Sequence, residues 1–198
     1  MTGKTHLAVG TCAAMLITKP TNIYSTLICL SVASIGSVIP DIDAPMSKSR
    51  KEINKILAIS TLLTIVVFYI EYRYNLGLVR TIIKNNKLAR VIVGVFIFLI
   101  ICLFGRKKPH RSFMHSILAL ILLSISVQII YPNAVLSFET AMLSHIVLDT
   151  LNYKKVRILY PLKFGISIEA CKSSGKTDRL ILAIATALLI FTIIFSIL

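Results

Sequence analysis

Apolar residues run along the chain in long blocks, and the polar positions gather in short clusters between them. A helix needs about 20 apolar residues to cross the roughly 30 Å hydrocarbon core of a bilayer, with about 17–25 tolerated. Seven blocks meet or approach that length: His6–Thr18, Ile23–Ile39, Ile53–Ile70, Leu88–Phe104, Ser112–Tyr131, Val135–Leu151 and Leu180–Leu198. The first is short and relies on its flanks. Its junction with the second, Lys19-Pro20-Thr21-Asn22, is a proline break that predicts a tight helical hairpin, and Tyr131-Pro132-Asn133-Ala134 predicts another joint between the fifth and sixth. A re-entrant hairpin over His6–Ile39 is the alternative to two full spans, and it leaves every loop on the same side. No internal repeat or low-complexity tract interrupts the pattern. The expected fold is therefore all-α: a polytopic helical membrane protein of about seven transmembrane or re-entrant helices, in a single domain over residues 1–198.

Composition sharpens this reading. Of the 198 residues, 56% are hydrophobic and 15% charged, against about 45–50% and about 25% in ordinary soluble domains, so the outer surface is expected to face lipid. The 22 Lys and Arg against 8 Asp and Glu give a net charge of +14, which raises nucleic acid as a partner until the charges are sorted by side. With seven spans, the N-terminus and the 40–55, 105–111 and 152–179 loops carry 16 of the basic residues, and the other side carries 6. Short loops rich in Lys and Arg stay in the cytoplasm. The expectation is an integral plasma (inner) membrane protein with a cytoplasmic N-terminus and an external C-terminus, and no nucleic acid partner. Cys12, Cys29 and Cys102 lie in apolar runs and Cys171 stands alone, so no disulfide framework or zinc ribbon is expected. The opening stretch around Lys4 and Leu7–Ile17 superficially resembles a leader, but the apolar pattern resumes at once from Ile23 and no cleavage is expected.

Seven ionisable groups stand where lipid makes them costly: His6, Asp41, Asp43, His110, His115, His145 and Asp149. They include all four histidines, and the predicted topology puts all seven at one face of the membrane, where such residues are candidates for function. His145 and Asp149 are four apart, on one face of a helix about one turn from each other. That spacing chelates a divalent ion through imidazole nitrogen and carboxylate oxygen, and it also occurs as a plain buried His–Asp pair. Pro40 ends the second block so that Asp41 and Asp43 emerge together, on the same side of the chain if the segment is extended. His110 and His115 are five apart, so a loop position for His110 and a first-turn position for His115 are needed to bring them together. Ser112 or Ser116 suits the helix N-cap there. Arg111 is a cation beside this cluster and fits an anionic group such as phosphate, while also serving as a cytoplasmic anchor.

In these motifs the sequence resembles the YdjM-like family of membrane-bound metal-dependent hydrolases. The matching elements, in order, are Thr5-His6 with Gly10, Pro40-Asp41-Ile42-Asp43, His110-Arg111 with His115-Ser116, and His145-Ile-Val-Leu-Asp149, followed by Tyr160-Pro161. The resemblance spans nearly the whole chain and implies a helical membrane protein in which His6, Asp41, Asp43, His110, His115, His145 and Asp149 bind divalent metal. A more distant similarity joins the His-x-x-x-Asp pair to the zinc-dependent phospholipase C and single-strand nuclease group. Their N-terminal tryptophan ligand has no counterpart, since the chain contains no Trp.

The functional expectation is a metal-dependent hydrolase, with zinc as the first choice of divalent ion and the number of ions open. Its substrate would be a phosphoester of a membrane lipid or lipid-linked molecule at the cytoplasmic interface. His6, His110, His115, His145, Asp41 and Asp149 are assigned as ligands. Asp43 is assigned as a bridging ligand, an orienting residue or a general base, and Arg111 as a phosphate contact. The alternative is a non-catalytic metal-binding protein whose basic loops recruit a cytoplasmic protein partner. Seven candidate ligands exceed the four of a closed structural zinc site, which favours catalysis. An ion transporter ranks last, because it requires ionisable residues near the midplane of several spans and the only extra candidate, Glu139, falls towards the opposite end of the sixth.

Overall fold

The structure, a computed structural model, describes residues 1–44 and 85–197 together with 55, 66, 69, 73 and 74. The expected span Ile53–Ile70 lies outside these residues. Six α-helices are described: α1 Gly3–Thr18, α2 Ile23–Val38, α3 Asn86–Gly105, α4 Ile117–Ile130, α5 Val135–Thr150 and α6 Lys176–Ile197. Short 3-10 turns cover Ile39–Asp43, Phe113–His115 and Pro132–Ala134. No strand is present among the described residues.

Local chemistry sets the boundaries. Thr2 caps α1 by accepting from the Thr5 N–H, and Lys19 ends it in the left-handed region at φ 45°. Asn22 opens α2 with a capping box in which Ser25 answers its backbone, so the Lys19–Asn22 break makes the expected hairpin. Pro40 has no N–H to continue α2, and the chain tightens into the Ile39–Asp43 turn. Ser116, not Ser112, caps α4 by accepting from the Ala119 N–H.

Among the described residues, three helical stretches are long and apolar enough to cross a membrane: Ile23–Asp43, Asn86–Gly105 and Lys176–Ser196. The other three are shorter than their blocks suggest. At 16, 14 and 16 residues, α1, α4 and α5 reach about 21–24 Å at 1.5 Å per residue. The difference at the fifth block arises because Ser112–His115 is turn rather than helix, for reasons that belong to the site.

α5 is the central helix. It packs on α1, α2 and α4, while α6 lies on α1 and α3 on α4. Close approach depends on small residues, as in other lipid-embedded bundles. A Cβ on Gly10 would stand 2.0 Å from Ser37 Oγ and 3.2 Å from Ser144 Oγ, and one on Gly36 would stand 2.7 Å from the Phe138 carbonyl oxygen. The main core runs from Ile39 and Ile42 through Phe113, Met114 and Leu123 to Phe138, Met142 and Ile146. The outside of α6 is the reverse of a soluble surface: Leu180, Ile184, Leu188, Phe191 and Phe195 are exposed along one side. Between α5 and α6 the chain has no helix, and backbone pairs fasten it to the bundle: Arg157 N to Arg111 O at 3.0 Å, Ile117 N to Ile158 O at 3.0 Å and Ile168 N to Thr150 O at 2.7 Å.

Candidate metal centre

Four segments meet at one end of the bundle. The first turn of α1 brings His6, the turn after α2 brings Asp41 and Asp43, the 110–115 segment brings His110, Arg111 and His115, and the last turns of α5 bring His145 and Asp149. All seven expected ligands are thus neighbours. His6, His115, His145, Asp43 and Asp149 are buried, and Asp41 and His110 are partly or largely exposed.

Asp149 is the hub. Its Oδ1 lies 3.3 Å from His6 Nε2, 3.1 Å from Arg111 Nη2 and 3.6 Å from the Met1 amino group. Its Oδ2 lies 3.2 Å from His115 Nε2 and 4.0 Å from His145 Nε2. Asp41 Oδ1 approaches from the other side, 3.7 Å from His145 Nε2 and 3.9 Å from His115 Nε2. The segment of Asp41 and Asp43 is a 3-10 turn and not the extended strand considered above. Both carboxylates nevertheless reach His115, Asp41 toward Nε2 and Asp43 toward Nδ1 at 3.3 Å.

Second partners fix the rings. His145 Nδ1–H donates to the Ser37 carbonyl at 2.6 Å, which leaves Nε2 with its lone pair facing the carboxylates, the arrangement metal-bound histidines require. His110 Nδ1–H donates to Asp43 Oδ1 at 2.6 Å, and the Arg111 N–H donates to Asp43 Oδ2 at 3.1 Å. The rings of His6 and His145 stack with centroids 3.8 Å apart. Arg111 is buried, with φ 63°, and its guanidinium is engaged within the protein: Nη1 donates to the Lys154 carbonyl at 2.6 Å and Nη2 to Asp149.

Two donor groups emerge among the described residues: His6, His145 and Asp149, fully buried, and Asp41, His110 and His115 beside them, with the ligand atoms of each group within 4.8 Å of one another. The donor set fits a divalent ion. The buried nitrogens His6 Nδ1 and His145 Nε2 have no hydrogen-bond partner, and those of His115 meet carboxylates at 3.2–3.3 Å outside hydrogen-bond geometry, a costly state for buried polar atoms unless a bound ion accepts one lone pair from each ring. Nitrogen and carboxylate oxygen together suit zinc and related ions.

Three contributors were not legible in the sequence. Ser37 and Lys154 act through backbone carbonyls, which carry no residue signature. Asp178, in the first turn of α6, accepts from Thr5 Oγ1 at 2.7 Å, from Thr2 N at 3.4 Å and from Ser174 N at 2.8 Å. It thereby ties α6 to the turn of α1 that carries His6. A buried acid at the start of an apolar helix is a signal that could have found it.

Fold and site together define a helical membrane protein with a buried His–Asp centre able to hold metal at one end of its bundle. The family model described as YdjM inner membrane protein matches residues 1–198, the whole chain, and the protein belongs to that family. No curated protein and no solved structure matches it.

Proposed function

We propose that this protein is a membrane-bound, metal-dependent hydrolase acting on a phosphoester of a lipid or lipid-linked substrate at the cytoplasmic face. The observation that carries the reading is the adjacency of two three-residue donor groups. Each group offers three ligands, one fewer than a closed four-coordinate structural site, so an ion held there would keep room for water or substrate. Zinc or a similar ion, when bound, supplies a hydroxide near neutral pH and stabilises charge on phosphoryl oxygens.

The chain's own residues do the rest. His6, His145 and Asp149 would hold one ion and Asp41, His110 and His115 another, and Asp149 and Asp41 lie 3.2 and 3.7 Å, respectively, from a histidine of the other group. Asp43 orients His110 and His115 and is placed to receive a proton from His110. Arg111 holds Asp149 and contributes a fixed positive charge. The position at the end of the bundle supports a lipid substrate, since a headgroup can reach the site while its acyl chains remain in the bilayer. The basic loops at this end support a cytoplasmic orientation.

The test is elemental analysis of detergent-purified protein beside a His145→Ala, Asp149→Ala double variant, followed by turnover of phosphoester substrates. Wild type is expected to carry at least about one equivalent of transition metal and the variant little. Metal-free wild type after reconstitution would sink the proposal. Metal without turnover on any phosphoester would favour a regulatory role in recruiting a cytoplasmic partner.

A further inference from the structure

A groove of about 750 Å³ opens beside the metal centre, between the start of α1, the end of α2 and the first turns of α6. Ligand sites commonly have volumes of about 300–1,000 Å³. Its lining divides by chemistry: Lys4 and Arg179 bring two exposed cations, Leu7, Val38 and Leu182 form an aliphatic wall, and Asp41 connects it to the donor groups. Asp178 also borders the groove, but it is buried and Thr5, Thr2 and Ser174 donate to both of its oxygens, so the charges exposed at the opening are Lys4, Arg179 and the half-exposed Asp41. Arg111 is less suited to receive an anion, because both its terminal nitrogens are engaged and it is buried.

We propose that this groove binds the phosphate headgroup of an anionic phospholipid, with Lys4 and Arg179 taking the phosphate and Leu7, Val38 and Leu182 covering the first carbons of the acyl chains. The proposal rests on the phosphoester reading above and names the surface that would present such a substrate to Asp41. A lipid fits better than free phosphate for two reasons. Free phosphate would satisfy the cations and leave the aliphatic wall uncovered. The face of α6 that carries Arg179 continues below the groove through Leu182, Thr186 and Ile190, the last two exposed, so acyl chains lying along it bring a headgroup to the level of Arg179.

The experiment titrates the detergent-purified full chain with dihexanoyl phosphatidic acid, and separately with inorganic phosphate, by calorimetry. A Lys4→Ala, Arg179→Ala variant is expected to bind the lipid about tenfold more weakly than wild type. A Lys155→Ala, Lys163→Ala control, which removes two exposed cations outside the groove, is expected to stay within about twofold. Leu182→Trp keeps both cations and obstructs the aliphatic wall, and it too should weaken the lipid. Inorganic phosphate is expected to bind at least about tenfold more weakly than the lipid. Unchanged lipid binding in the Lys4→Ala, Arg179→Ala and Leu182→Trp variants, or equal affinity for inorganic phosphate, overturns the proposal. Metal content of the same samples separates the two readings. Weakened lipid binding in a groove variant that keeps wild-type metal supports the groove, whereas a metal-free wild type that still binds the lipid through Lys4 and Arg179 overturns the metal centre alone.

Discussion

Asp149 draws His6, Arg111, His115 and His145 around one buried carboxylate, and the cost of burying that charge is offset because three of these neighbours are themselves held. Ser37 holds His145, Lys154 holds Arg111, and Asp43 faces both His110 and His115. Groups that orient metal ligands typically contribute about 10–100-fold to metal affinity. Asp43→Asn keeps the shape and removes the charge. It is expected to weaken metal binding by about that factor while leaving the helical circular dichroism intact, and competition with a chromophoric chelator measures it. Wild-type affinity in that variant would remove Asp43 from the site. The residue types of the centre were legible in the sequence, because seven ionisable groups in an apolar chain have few other reasons to be there. Their partners were not, since two of them are backbone carbonyls that any residue supplies.

Among the elements, the approach of α1, α2 and α5 decides whether the ligands converge. Gly10 is where the three helices touch, and a methyl group there meets Ser37 Oγ at 2.0 Å. Ser37 is also the residue whose carbonyl positions His145, so Gly10→Ala links a packing change to the site. Overpacking of this kind costs about 1–3 kcal/mol. The variant is expected to melt lower than wild type and to hold less metal, with part of both losses recovered when Ser37→Ala is added. A Gly10→Ala protein with wild-type melting and metal content would show that the helices are not as close as described. Helix ends were readable where a proline or a capping side chain marks them, as at Lys19–Asn22, Pro40 and Ser116. The turn at Phe113–His115 was not, because apolarity continues through Phe113 and Met114 and only their burial against the core distinguishes turn from span.

For the whole molecule, the metal centre, the groove and the 152–175 segment share one end, and the Lys19–Asn22 and Pro132–Ala134 joints belong to the other ends of the same helices. Under the proposed orientation, a cysteine introduced at Lys163 reacts with a membrane-impermeant maleimide only after the cell is opened, and one at Thr21 reacts from outside. Both positions are exposed, and the four native cysteines are buried. The opposite labelling pattern would invert the topology and place the metal centre outside.

The sequence by itself determined the solvent of this protein and its candidate ligands, because transfer of long apolar blocks and of isolated charges out of water has free energies large enough to be read residue by residue. Only the tertiary structure decided that the ligands form two touching groups, that Arg111 is engaged with Asp149 and Lys154, and that Asp178 fastens α6 to the turn of α1 bearing His6. Those contacts join residues up to 173 positions apart, and their geometry depends on how closely the helices pack, which no local pattern of polar and apolar positions encodes.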